Sequence, residues 1–244
     1  MVYDKIERTI NQMKKKIALI GAIAFLVLFL VFTVLVITVD VQPIGPNGSE
    51  VGLATMNGAV ADALEYNEIW YNISDYAGYL ALLIPVGFAL LGLFQVIKRK
   101  SLLKVDRHLI ILAVFYVAVL CAYITFEIFK VNYRPILVDG VLEASYPSSH
   151  TLLSLCITAS AIFEAHLLLK SKKVLLISAD ILFATIGAVV LVGRLLSGVH
   201  WLSDIMGGVL LSGALVCFFV YAVLLTNKIA KRKQKENKEN TVND

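Results

Sequence analysis

VLLISADILFATIGAVVLVGRLLSGVHWLSDIMGGVLLSGALVCFFVYAVLLT, residues 174–226, holds two apolar runs, 174–193 and 205–226, parted by one polar interruption. A helix rises 1.5 Å per residue, so about 20 apolar residues cross the ~30 Å hydrocarbon core of a bilayer. Each run is long enough to span a membrane. The interruption, GRLLSGVHWLSD at 193–204, places Arg194, His200 and Asp204 at its boundary. Charge there is costly and points to a use.

The pattern recurs along the chain. Of 244 residues, 59% are hydrophobic and 16% charged, with a mean hydropathy of +0.80. A soluble domain of this length cannot bury that much apolar surface. Uninterrupted apolar stretches lie at 17–39, 77–97, 109–129, 151–169, 174–193 and 205–226. They predict an all-α integral membrane protein, with six transmembrane helices in one bundle forming a single domain over 1–226. The basic segment that follows, 227–244, has no apolar period and is expected to be disordered. Lys14, Lys15 and Lys16 before the first span invite a signal-peptide reading. The apolar run is too long for one, and ITVDVQP (37–43) offers no small-residue cleavage site, so a retained anchor is expected. Cys121, Cys156 and Cys217 all fall within spans and are read as packing residues, with no disulfide framework.

Nineteen of the 22 basic residues flank the spans on one side. By the positive-inside rule that side is cytoplasmic, which places both termini inside, in the plasma membrane. Spread as topological flanks, these charges give no reason to expect nucleic acid. The exceptions are Lys130, Arg134 and Arg194, all on the outer side. Residues 40–76 form the one long external segment, acidic and without a basic residue. It is read as a solvated loop, the alternative being a lid; IGPNGSEVG (44–52) is turn-rich, while ATMNGAVADALEYNEIWYNI (54–73) has helix-like spacing suited to lying along the membrane surface. The N-x-S triplets at Asn47 and Asn72 are short patterns with a high chance rate. Glu164 and Asp180 are acids within spans, for which His166 and Lys170 are the expected structural partners; His108 is read as interfacial.

The outer exceptions sit among other reactive side chains. His200 and Asp204 are four residues apart, one helical turn if span six begins near His200. A carboxylate there fixes the imidazole tautomer and leaves the other ring nitrogen free as base, nucleophile or ligand. Arg194 has the planar fork that grips a phosphate through two parallel hydrogen bonds. The loop FKVNYRPILVDGVLEASYPSSHT, 129–151, brings Lys130, Arg134, Ser148, Ser149 and His150 to the same face. PSSH immediately precedes span four, so the serines and their N–H groups fall at a helix N-terminus, a natural place for an anion.

This combination resembles the membrane-bound type 2 phosphatidic acid phosphatase family, whose pattern is K-x6-R-P, then P-S-G-H, then S-R-x5-H-x3-D. Here the third part reads GRLLSGVHWLSD, the second PSSH at 147–150, and the first is represented by Arg134-Pro135. The resemblance implies a metal-independent phosphatase without cofactor, acting on a lipid phosphate or diphosphate in the bilayer. It implies His200 as nucleophile, forming a phosphohistidine, with Asp204 orienting it. His150 would be general acid and then base. Arg134, Arg194, Ser148 and Ser149 would hold the phosphate oxygens. Undecaprenyl diphosphate, phosphatidylglycerophosphate, phosphatidic acid and diacylglycerol diphosphate all stay open as substrates, as does the oligomeric state. Three positions depart from the pattern. The family lysine is Glu127, for which Lys130 would substitute if the helix continues; the family glycine is Ser149; the family serine is Gly193. Competing readings are a non-catalytic lipid-phosphate binder or scaffold, and a transporter using Glu164 and Asp180.

Overall fold

The computed structural model describes residues 2–243, with side chains described at 6 and 9–226. It holds seven α-helices among these residues: α1 (Val2–Thr38), α2 (Ala54–Leu64), α3 (Glu68–Arg99), α4 (Arg107–Ile128), α5 (Ser149–Leu168), α6 (Lys173–Leu196) and α7 (Leu202–Asn243). All but α2 contain a stretch long and apolar enough to cross a membrane. Side chains beyond Thr226, and with them the expectation of a disordered tail, lie outside the described residues.

The helices are sorted by burial. In α5, 56% of the apolar window is buried, against 11% in α3 and α6, so α5 is the axis of the bundle. Its inward positions include small and hydroxyl-bearing residues such as Ser154, Thr158, Ser160 and Ala161, which let neighbouring backbones approach closely. The core joins Phe29 and Val36 of α1, Leu112, Phe115 and Val119 of α4, Leu152 and Cys156 of α5, and Leu211, Phe219 and Val223 of α7. Outward residues such as Ile20, Leu83, Val114 and Ile181 are exposed and apolar, which a bilayer accommodates and water does not.

Two boundaries differ from the sequence reading. The third helix starts at Glu68, well before the expected 77, because Asn67 caps it by accepting the Trp70 N–H at 3.1 Å. The stretch 40–76 is also not a solvated loop. Its helix α2 docks through buried Asn57, whose amide donates to Gly52 O at 2.8 Å and Ser203 Oγ at 2.9 Å, and whose Oδ1 accepts from Ser203 N at 3.0 Å. One polar side chain thus fastens α2 to the first turn of α7.

Of the acids within spans, Asp180 finds the expected His166 and Glu164 finds a different partner. Glu164, fully buried, meets His108 Nδ1 at 2.5 Å, and Asp180 meets His166 Nε2 at 3.0 Å. Helix packing decides this: α4 lies against α5, which brings His108 to Glu164. His108, read as interfacial, stands in the first turn of α4, half-buried, and is the partner of Glu164.

Candidate active site

Helix ends build the site. His150 is in the first turn of α5, Arg194 in the last turn of α6, Asp204 in the first turn of α7, and His200 in the turn joining α6 to α7. Arg134 stands in the α4–α5 loop. Short backbone bonds lock these loops together. Ser148 N donates to Asp204 O at 2.9 Å, Arg134 N to Glu143 O at 3.0 Å, and Ser145 N to Asn132 O at 2.9 Å. The Trp201 indole donates to Tyr133 O at 2.7 Å, tying the neighbour of His200 to the neighbour of Arg134.

His200 and Asp204 are both buried, with Nδ1 3.5 Å from Oδ2. The helix begins at Leu202, so His200 precedes it rather than opening it. The same Oδ2 accepts the Trp201 N–H at 2.9 Å, so Asp204 also caps the helix. Burial first, then the charges of Arg134 and Arg194, hold the His200 imidazole well below its ordinary value of 6.5. A neutral imidazole keeps a lone pair for attack. Among the described residues its Nε2 has no hydrogen-bond partner.

Around it stand cationic groups. Arg194 is fully buried, and its Nε and Nη1 have no protein partner among the described residues. Its guanidinium carbon lies 5.2 Å above the Tyr71 ring. Arg134 Nε is 3.1 Å from Glu143 Oε2 without hydrogen-bond geometry. Buried guanidinium donors left without acceptors are expensive, so this cluster has the donor set of an anion cradle. Ser148 caps α5, accepting from Thr151 N at 3.4 Å and from Thr151 Oγ1 at 3.1 Å.

Two of the expected phosphate ligands sit elsewhere. Helix α4 stops at Ile128, so Lys130 lies past its end and does not stand one turn from Arg134; its ammonium is 5.7 Å over the Tyr133 ring. Ser149 lines a small cavity with Glu127, Tyr123 and Tyr146, because on a helix adjacent residues point about 100° apart and His150 takes the inward direction.

One residue of the cluster escaped the sequence reading. Asp75, in the N-terminal turns of α3, places Oδ1 3.1 Å from His150 Nε2 and pairs the same oxygen with Arg194 Nη2. The missed start of α3 hid it, for inside a presumed loop an acid carries no facing.

Residues 85–228 match the family model described as the PAP2 superfamily. Among solved structures, the chain is similar to the crystal structure of the first transmembrane PAP2 type phosphatidylglycerolphosphate phosphatase from Bacillus subtilis. The TM-score is 0.55 at 20% identity, over 85% of this chain and 96% of that one. No curated protein matches the chain.

Proposed function

The chain belongs to the PAP2 superfamily, and from that premise we propose that it hydrolyses the terminal phosphate of a lipid phosphate or diphosphate through a phosphohistidine on His200. The observation that carries this reading is an imidazole kept from protonation by its burial and by Arg134 and Arg194, beside Arg194 donors that have no hydrogen-bond partner among the described residues. Phosphoryl transfer asks little of a protein beyond a positioned nucleophile and compensation of charge on three equatorial oxygens.

In the proposed reaction, His200 Nε2 attacks phosphorus while the bond to the lipid oxygen breaks. Asp204 stabilises the imidazole as it gains charge. His150 delivers a proton to the leaving oxygen, then takes one from the water that cleaves the N–P bond, which frees phosphate and returns both histidines to their starting forms. Arg134 and Arg194 compensate the oxygens throughout, and the scheme calls for no metal. The outer orientation rests on the basic flanks at the opposite end of the bundle. A site at helix ends, level with lipid headgroups, favours an amphiphilic substrate in the same bilayer.

A panel of lipid phosphates and diphosphates, presented in detergent with a chelator, tests the reading by release of inorganic phosphate. Activity is expected to survive the chelator and to fall at least 10³-fold in His200→Ala, with loss of an acid-labile phosphoenzyme. Unchanged turnover in His200→Ala would reject the nucleophile. The second reading, a lipid-phosphate binder without catalysis, is favoured by Glu127 at the family's lysine position and by Lys130 resting on Tyr133. Phosphate-lipid binding without release of phosphate would establish it.

A further inference from the structure

Asp75 lies outside the three-part pattern, yet it touches two of the groups just assigned roles. Its Oδ1 is shared between His150 Nε2, at 3.1 Å, and Arg194 Nη2. The Tyr79 hydroxyl, one helical turn further along α3, interacts with the same carboxylate. The carboxylate is one-fifth exposed, the Arg194 side chain fully buried. His150 Nε2 is engaged by Asp75, while its Nδ1 is buried and has no partner among the described residues.

The approach of α3 is built for this contact on both sides of Asp75. A Cβ added at Gly193 would lie 2.8 Å from the Ser74 Cβ, and one added at Gly78 would lie 3.2 Å from His150 Cδ2. Ser74, Ala77, Gly78 and Ala81 are the buried positions of this stretch of α3. Small residues at such a seam let two backbones close up. Here they seat one carboxylate between Arg194 and His150.

We propose that Asp75 is a positioning residue of the phosphatase reaction: its shared oxygen fixes the His150 ring so that Nδ1 faces the leaving oxygen, and braces Arg194 beside it. The inference rests on the phosphatase reading above. Asp75 does not touch the transferred group. In the step concerned, the P–O bond to the lipid breaks, its electron pair goes to the leaving oxygen, and the His150 Nδ1 proton follows. Asp75 compensates the imidazolium before that transfer and holds the neutral ring after it, as a carboxylate does for a catalytic histidine.

The test compares leaving groups. Full-length protein in detergent is assayed for kcat/KM on a long-chain alkyl phosphate and on 4-nitrophenyl phosphate, whose phenolate departs without a proton. Asp75→Asn is expected to lower kcat/KM about 100-fold on the alkyl ester and only a few-fold on the aryl ester. The few-fold loss common to both substrates reflects Arg194. Asp75→Glu should recover part of the alkyl activity. Tyr79→Phe, at an exposed tyrosine, should show a smaller loss with the same preference, and it carries the test if Asp75→Asn does not fold. In a His150→Ala background the preference should vanish. Equal losses on the two esters in Asp75→Asn and Tyr79→Phe, no loss, or a gain of activity would each overturn the proposal. If wild-type protein releases no phosphate from either ester, it is the phosphatase reading that fails.

Discussion

The backbone N–H of Ser148 donates to the backbone carbonyl of Asp204 at 2.9 Å. That bond joins the PSSH turn before α5 to the first turn of α7, and so brings His150 and His200 to one end of the bundle. It involves no side chain, which is why a search for reactive residues alone would not reveal it. Gly208 makes the approach possible: a Cβ there would lie 3.0 Å from Thr151 Cβ and 3.2 Å from Ser148 O.

Gly193→Ser installs the residue that the family pattern carries, and is nevertheless expected to lower kcat/KM about tenfold. The new Cβ meets Ser74 at 2.8 Å, so α3 must shift and take Asp75 with it. Overpacking of this kind costs about 1–3 kcal/mol. Phosphate release and thermal unfolding in detergent measure both effects. Gly193→Ala should be equally impaired; a serine variant more active than the alanine one would show that the added hydroxyl outweighs the clash.

The pH dependence follows from His200. Burial, Arg134 and Arg194 oppose protonation of its ring, so the neutral form persists as pH falls through the ordinary value of 6.5. The acid limb of kcat/KM should therefore lie below pH 6.5. Arg134→Gln, which removes a nearby positive charge, should move that limb upward. Linkage gives stability the same sign. A folded-state value below the unfolded one means that stability is lost as pH drops below 6.5. A limb at 6.5 in the wild type and in Arg134→Gln would contradict this.

His108→Ala should destabilise without touching the chemistry. It leaves the fully buried Glu164 carboxylate without its 2.5 Å partner at the far end of the bundle. Removing one member of a buried pair costs about 3–5 kcal/mol. Unfolding by denaturant should show the loss, and kcat/KM of the surviving folded protein should not change. Replacing both partners, as His108→Ala with Glu164→Leu, should recover most of the stability.

Topology is testable with single cysteines at exposed sites. Val141→Cys in the α4–α5 loop should react with an impermeant thiol reagent in intact cells, and Leu103→Cys in the α3–α4 loop should be protected. Gly198 is a poor reporter: its φ is +69° and a Cβ there would sit 2.6 Å from Glu65 O. Protection of position 141 with labelling of position 103 would reverse the orientation.

Much of this was legible in the chain because hydrocarbon makes severe demands. Apolar length alone located six helices, and the spacing within GRLLSGVHWLSD marked Arg194, His200 and Asp204. The PSSH turn added His150. What stayed hidden were contacts between elements distant in sequence. Asp75 became interpretable only once α3 was seen to begin at Glu68, and Lys130 lost its expected place once α4 was seen to end at Ile128. The pairing of Glu164 with His108 rather than with a neighbour in its own helix reflects which faces of α4 and α5 meet. Propensity within a single helix does not encode that choice.

Both histidines, Arg194 and Asp204 hang from the first or last turn of a membrane helix, or from the short turn joining α6 to α7. Helices answer a thicker or thinner bilayer by changing tilt, and groups fixed at their tips then swing through an arc rather than staying put. Membrane thickness thus becomes a coordinate of the site. The host lipid is in that sense a structural component of this protein, whether or not it is ever a substrate.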